Sequence, residues 1–209
     1  MRKFLSVFTI AATVALGAAQ TGLAAAAEFD VTAALAEQSI GSKDAPVTIQ
    51  AFESLTCPHC AAFEKDTFPE IKKAYIDTGK VRLVFNDFPL DGRALLAHMV
   101  ARCAGRDRYF GMINLLFATQ RQWAHAETPE SFLASLNAVA RQGGMTDEEF
   151  AACTKNQALY DTMIKRIKEV DEKYKISSTP TFIIGDQRIV GSQPFADFKK
   201  VIDPMLPKP

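Results

Sequence analysis

The chain has 209 residues, 48% hydrophobic and 23% charged, a composition that supports a substantial core in one domain or in one domain with an insertion. Its 24 basic and 24 acidic residues balance, so no net field draws it to nucleic acid or to an anionic membrane surface, and no basic stripe runs along it. The four cysteines, two of them in Cys57-Pro58-His59-Cys60, point instead to thiol chemistry.

The first residues read as an address. Arg2 and Lys3, the apolar run from Phe4 to Leu16 and the small residues Ala24-Ala25-Ala26-Ala27 have the form of a secretory signal peptide over residues 1–27, cleaved before Ala27 or Glu28. Left uncleaved, the same uncharged run is long enough to act as a membrane anchor. Export bears on the cysteines, because disulfides persist outside the cytosol. A bacterial periplasm is the simplest reading.

Residues 28–45 are a lead-in, where Val31, Leu35 and Ile40 suggest one or two helical turns closed by Gly41-Ser42-Lys43-Asp44. Residues 47–52 form a β-prone apolar run, a buried strand. Phe63, Phe68 and Ile71 then recur at roughly helical spacing in a helix from 58 to about 77. Gly79 suits a left-handed cap at its end, and residues 81–85 form a second strand. A strand–helix–strand unit with a crossover of this length predicts parallel strands.

From Arg93 to about Lys173 the pattern is helical. Leu95, Leu96, Met99, Val100 and Cys103 trace one face; Tyr109, Met112, Ile113, Leu116 and Phe117 trace a second; Phe132, Leu133, Leu136, Val139 and Ala140 trace a third. Thr128-Pro129-Glu130 and the capping box Thr146-Asp147-Glu148-Glu149 mark helix starts, and a last long helix runs from about Gln157 to Tyr174. Thr181 to Ile184 is a strand that turns through Gly185-Asp186-Gln187 into Arg188-Ile189-Val190, and Phe195, Phe198, Val201 and Ile202 face a closing helix. The organisation is α/β, with parts at 28–92 and 174–209 separated by an all-helical insertion over 93–173.

The chemistry centres on Cys57 and Cys60. A Cys-x-x-Cys between strand and helix puts Cys57 at the helix start, where unpaired N–H groups and the helix dipole favour a thiolate. Pro58 fits the first helical position because no N–H is needed there. His59, when protonated, adds positive charge beside the thiol. Zinc uses the same spacing, but Cys103 and Cys153 are single and far apart, so no second ligand pair is offered and no metal is expected. A purely structural Cys57–Cys60 bridge closes almost no chain and so adds little stability. Redox chemistry explains the pair better.

Cys57-Pro58-His59-Cys60 with Phe63-Glu64, the segment Phe88-Pro89-Leu90-Asp91, and Thr179-Pro180-Thr181-Phe182 together resemble DsbA-type thiol–disulfide oxidoreductases. The resemblance covers essentially all of the chain after the leader. It implies a thioredoxin fold with an inserted helical domain, no cofactor, and a periplasmic oxidant that passes its disulfide to reduced, newly exported proteins. It also implies reoxidation by a DsbB-like membrane partner. In thioredoxin-like proteins the proline matching Pro180 is cis and lies beside the cysteines, where the residue before it pairs with substrate; an ordinary trans proline opening a strand is the alternative. By the same resemblance Cys60 is the buried resolving thiol. Glu64 matches a position that assists proton transfer from it, against a plain solvent-facing acid.

Two positions depart from the family pattern. Thr179 stands where valine is frequent, and its hydroxyl is placed to tune the cysteines. The buried acid expected six residues before the first cysteine is replaced by Ala51, while Glu53 lies two residues on and in phase along the strand.

Cys103 and Cys153 fall on apolar helix faces. As a structural disulfide they close about fifty residues, which stabilises by about 4 kcal/mol in the chain-entropy model; two buried free thiols are the alternative. His98 and His125 read as surface or satisfied helix residues, and Trp123 as packing. The rival functions are a disulfide isomerase or reductase of the same fold, motivated by Thr179, a non-redox binding protein, and a glutathione-dependent enzyme, which needs neither both cysteines nor export. The lead-in is too short for the separate dimerisation domain of an isomerase, which favours a monomer.

Overall fold

The computed structural model describes residues 29–207; the leader expected over 1–27 lies outside them. α1 (Val31–Ala34) starts at Asp30, whose carboxylate accepts from the Ala33 N–H at 2.9 Å. β1 (Gln38–Ile40) and β2 (Val47–Glu53) follow, and β3 (Val81–Asp87) comes after the first long helical stretch. The lead-in pattern predicts helical turns as far as Ile40. Instead Gln38–Ile40 is an edge strand, antiparallel to β3 through the pairs Gln38–Phe85 and Ile40–Leu83. So short a segment takes strand form from the partner it meets rather than from its own propensity.

β2 and β3 are parallel, in register from Val47–Val81 to Glu53–Asp87. β3 thus runs two residues beyond the predicted Phe85, and the extension puts Asp87 beside Glu53 on one face of the sheet.

The stretch after Cys57 is helical but not uniform. α2 (Pro58–Ala62) passes into a π-helical turn (Phe63–Thr67), α3 (Phe68–Ile71) and a second π-helical turn (Lys72–Ile76). The Phe68 N–H reaches back five residues to the Phe63 carbonyl, and Pro69 has no N–H with which to restore α-helical pairing. Gly79, at φ 73°, takes the left-handed conformation that ends the stretch.

The insertion comprises α4 (Gly92–Cys103), α5 (Tyr109–Ala118), α6 (Gln120–Trp123), α7 (Pro129–Gln142), α8 (Asp147–Thr154) and α9 (Gln157–Tyr174). Capping boxes at Thr128/Ser131 and Thr146/Glu149 open α7 and α8, and the Asn156 side chain caps α9. Leu133, on the predicted apolar face of α7, is 39% exposed, because only part of that stripe meets neighbouring helices. Cys103, at the end of α4, and Cys153, on α8, form a disulfide with a Cα–Cα separation of 6.0 Å. Trp123 is fully buried, and its Nε1 donates to the Leu116 carbonyl at 2.9 Å.

β4 (Thr181–Ile184) and β5 (Gln187–Val190) form the hairpin, and α10 (Phe195–Ile202) closes the fold. The sheet order is β1-β3-β2-β4-β5, with β4 antiparallel to β2. One face, bearing Ile49, Ala51, Leu83, Phe85 and Phe182, packs against the helical stretch that begins with α2 and against the insertion; Phe52 on the other face packs with Phe88, Ile176 and residues of α9. Phe63, Phe182 and Phe198 meet at centroid distances of 4.3–5.5 Å, joining the first π-helical turn, β4 and α10. Each such buried ring contributes about 2–3 kcal/mol, more than a surface ion pair at about 0–1 kcal/mol, so this packing sets how the helix meets the sheet.

Candidate active site

β2 ends at Glu53, and Ser54-Leu55-Thr56 carries the chain to Cys57 at the N-cap of α2, in extended backbone conformation (φ −77°, ψ 120°). Pro58 occupies the first turn. The turn is held from its flanks: Thr56 Oγ1 donates to Asp91 Oδ2 at 2.7 Å, and the Leu90 N–H donates to Ser54 Oγ at 3.2 Å. Asp91 in turn caps α4, accepting from the Ala94 N–H at 2.8 Å. The Phe88-Pro89-Leu90-Asp91 segment therefore braces the redox turn and starts the insertion.

The two thiols differ sharply. Cys57 is 6% exposed and Cys60 is fully enclosed. The Thr179–Pro180 peptide bond is cis. The Cys57 thiol donates to the Thr179 carbonyl at 3.3 Å. A hydrogen bond from the Cys60 thiol is the largest influence holding the Cys57 thiol down to about 5; burial opposes it, and the backbone N–H groups of Cys60 and His59 assist, whereas the Thr179 hydroxyl has no hydrogen-bond partner. His59 thus acts on the thiolate through its backbone N–H. Cys60 is pushed far up by burial, by its bond to Cys57 and by the negative charges of Glu53 and Cys57.

Behind the thiols lie two acids. Glu53 is fully buried with no hydrogen-bond partner on either carboxylate oxygen, and burial holds its carboxyl well above the usual range, with Glu64 and Cys57 adding to the effect. Glu64, half-buried on the π-helical turn, is pushed up to about 8 by burial. Of the two, Glu53 is the one whose charge acts on Cys60, and a buried, protonated acid in that position is a proton donor, its conjugate base a proton acceptor.

Sequence reasoning passed over Asp87. Its carboxylate accepts from Arg102 Nε at 2.7 Å and from Tyr109 Oη at 3.0 Å, and His98 Nδ1 lies 2.9 Å from it. Burial alone raises such an acid, but Arg102 and His98 outweigh burial and hold it well below the carboxylate range. The available signal was His98 and Arg102, four residues apart on the apolar stretch of α4 that follows Arg93. His98 is thus wholly enclosed, whereas His125 is exposed. Gln120 gave no signal at all, yet its side chain bonds the backbone of the redox turn. Among the described residues no group of three or more His, Cys, Asp or Glu side chains converges as a metal site requires.

A family model described as thioredoxin matches residues 34–204. The chain belongs to the thioredoxin family. Within that family it is similar to alpha-DsbA1 of Wolbachia pipientis, with a TM-score of 0.75 and 28% identity over 82% of this chain and 91% of that one. It is also 30% identical over 159 residues to a putative protein-disulfide oxidoreductase of Rickettsia bellii, a match covering 75% of this chain and 60% of that protein. Disulfide bond formation protein D of Bacillus subtilis is 26% identical over 80% of this chain and 76% of its own length. The chain spans 60% of the Rickettsia protein's length and 76% of the Bacillus protein's. Its thioredoxin fold carries the inserted helices of the DsbA type.

Proposed function

We propose that this protein is a DsbA-type protein dithiol–disulfide oxidoreductase that oxidises reduced polypeptides with the Cys57–Cys60 disulfide. The observation that carries the reading is the asymmetry of the pair, a Cys57 thiol held down to about 5 beside a fully buried Cys60 pushed up. A substrate thiolate attacks Cys57 Sγ and breaks the Cys57–Cys60 bond; Cys60 leaves and takes up a proton, with Glu64 or Glu53 as the nearby source. A second substrate thiolate then attacks the substrate sulfur of the mixed disulfide and expels Cys57 as thiolate. Two electrons pass from the substrate dithiol to the pair, and the substrate gains one disulfide. At neutral pH a thiol at about 5 is ionised by roughly a hundred to one, which favours the reduced enzyme and makes the disulfide oxidising.

Thr179 supplies the docking edge. Its carbonyl faces Cys57, and two apolar side chains stand exposed on the segments that flank the pair, Leu90 at 55% and Val190 at 44%. An unfolded chain offers matching apolar residues and free backbone donors. The leader composition supports export, for which a DsbB-like membrane oxidant is the matching reoxidation partner. Among the described residues no helix is long and apolar enough to cross a membrane.

The test is equilibration with glutathione, together with Cys60→Ala and Cys57→Ala variants that are first treated with glutathione disulfide, which oxidises an accessible remaining thiol to a mixed disulfide with glutathione, and then exposed to a reduced, unfolded protein carrying a single cysteine. The expected result is a potential well above that of thioredoxin and a mixed disulfide trapped only by Cys60→Ala. A thioredoxin-like potential moves the assignment to a reductase or isomerase, the alternative that Thr179 motivates. Unimpaired biological activity with both cysteines replaced makes binding the function.

A further inference from the structure

Gln120 opens α6 inside the insertion, and its side chain is buried. Its Nε2 donates to the Leu55 carbonyl at 2.8 Å and to the Cys57 carbonyl at 3.0 Å. Both N–H groups of one carboxamide therefore go to the two carbonyls that bracket Thr56, on the turn leading from β2 into the redox helix. The Cys57 carbonyl also accepts from the Ala61 N–H at 3.2 Å, the bond that starts the helix. Only a carboxamide of this length offers both donors here; a carboxylate would set acceptor against acceptor, and a hydrocarbon would offer nothing. The contacts from Asp91 and Leu90 brace Thr56 and Ser54, and neither bonds Cys57.

We propose that Gln120 is a positioning residue through which the helical insertion sets the redox poise of Cys57. Its amide fixes the Cys57 backbone so that the sulfur meets the N–H groups of the first helical turn. It also turns the positive end of its dipole toward the residue that bears the thiolate charge. This rests on reading Cys57 and Cys60 as a redox pair, but not on the direction in which the pair works. The insertion is then part of the redox centre as well as a cover for it.

The test uses the full chain with Gln120→Met, which keeps length and volume without donors, and Gln120→Glu, which replaces them with acceptors. Two quantities are read: the pH midpoint of thiolate absorbance in the reduced protein, and the equilibrium constant with glutathione. Gln120→Met is expected to raise the midpoint by about half a unit, about threefold in the equilibrium constant or about 15 mV, toward a weaker oxidant. Gln120→Glu is expected to shift both quantities further. In the wild-type reduced protein the Gln120 side-chain amide resonances are expected to move with the Cys57 titration. Folded variants with wild-type midpoint and constant overturn the proposal, as does a loss of stability with neither quantity changed. Amide resonances that stay fixed through the Cys57 midpoint overturn it however the variants fold. All three measurements read Cys57 directly, so a chain that proves to be a reductase fails the functional assignment and leaves this one standing.

Discussion

The Cys57 thiol donates to the Thr179 carbonyl at 3.3 Å across 122 residues of sequence. That bond joins the start of the redox helix to the residue before Pro180, so the parts of the sheet on either side of the insertion meet at the sulfur. The protonation state of Cys57 is consequently tied to the folded structure, and stability depends on pH in a way that can be measured.

In the reduced protein Cys57 titrates near 5 when folded and near 8.5 when unfolded. Between those values the unfolded chain binds the extra proton, so the reduced form gains stability over the oxidised form as pH rises from about 5 to about 8. The gain is at most tenfold in the folding constant per pH unit, and it is lost as pH falls through about 5. Above about 8.5 the unfolded chain also releases the Cys60 proton, which folding retains, and the trend reverses. Urea unfolding of both redox forms across this range checks the sign, and the difference between forms cancels groups common to both.

Glu64→Gln should leave stability unchanged at pH 4 and raise it progressively to pH 8. The folded carboxyl is pushed up to about 8, against about 4.3 for an unfolded glutamate. Its burial therefore costs nothing in acid, costs more as pH rises while the unfolded chain alone is ionised, and approaches its full cost at about pH 8. We expect a gain of about 1–2 kcal/mol at pH 8, moderated by the water that a half-buried group retains. Denaturant midpoints at the two pH values measure it.

Replacing Cys103 and Cys153 together by serine removes a cross-link spanning 50 residues between α4 and α8. The expected loss is about 2–4 kcal/mol, with the Cys57–Cys60 potential unchanged, since neither cysteine contacts the redox turn. Chemical denaturation reads the first quantity and glutathione equilibration the second.

Asp87→Asn leaves the Arg102 guanidinium buried without its charge partner. A loss of about 3–5 kcal/mol is expected. Asp87→Asn combined with Arg102→Met should cost less than Asp87→Asn alone, because the uncompensated charge is gone. A double-mutant cycle in urea measures the coupling.

Much of this protein was legible in order of appearance. Cys57-Pro58-His59-Cys60 between an apolar strand and a helical pattern, the parallel β2–β3 pair, the capping box at Thr146 and the closing hairpin all rest on local signals, in which periodicity, capping chemistry and proline act within a few residues of themselves. What the tertiary structure alone decided is non-local. Gln38–Ile40 became a strand because β3 offered an edge, and Leu133 stayed exposed because no helix covered it. Asp87 became the hub of a buried cluster because parallel register set it beside Glu53 and under His98, Arg102 and Tyr109. Gln120, an ordinary polar residue in a polar connection, met the Cys57 carbonyl only through the packing of the insertion. Sequence by itself placed Cys57 and Cys60 on the first turn of a helix; the burial and hydrogen bonds that set how readily the two thiols ionise come from residues far apart in the chain, and only folding brings those together.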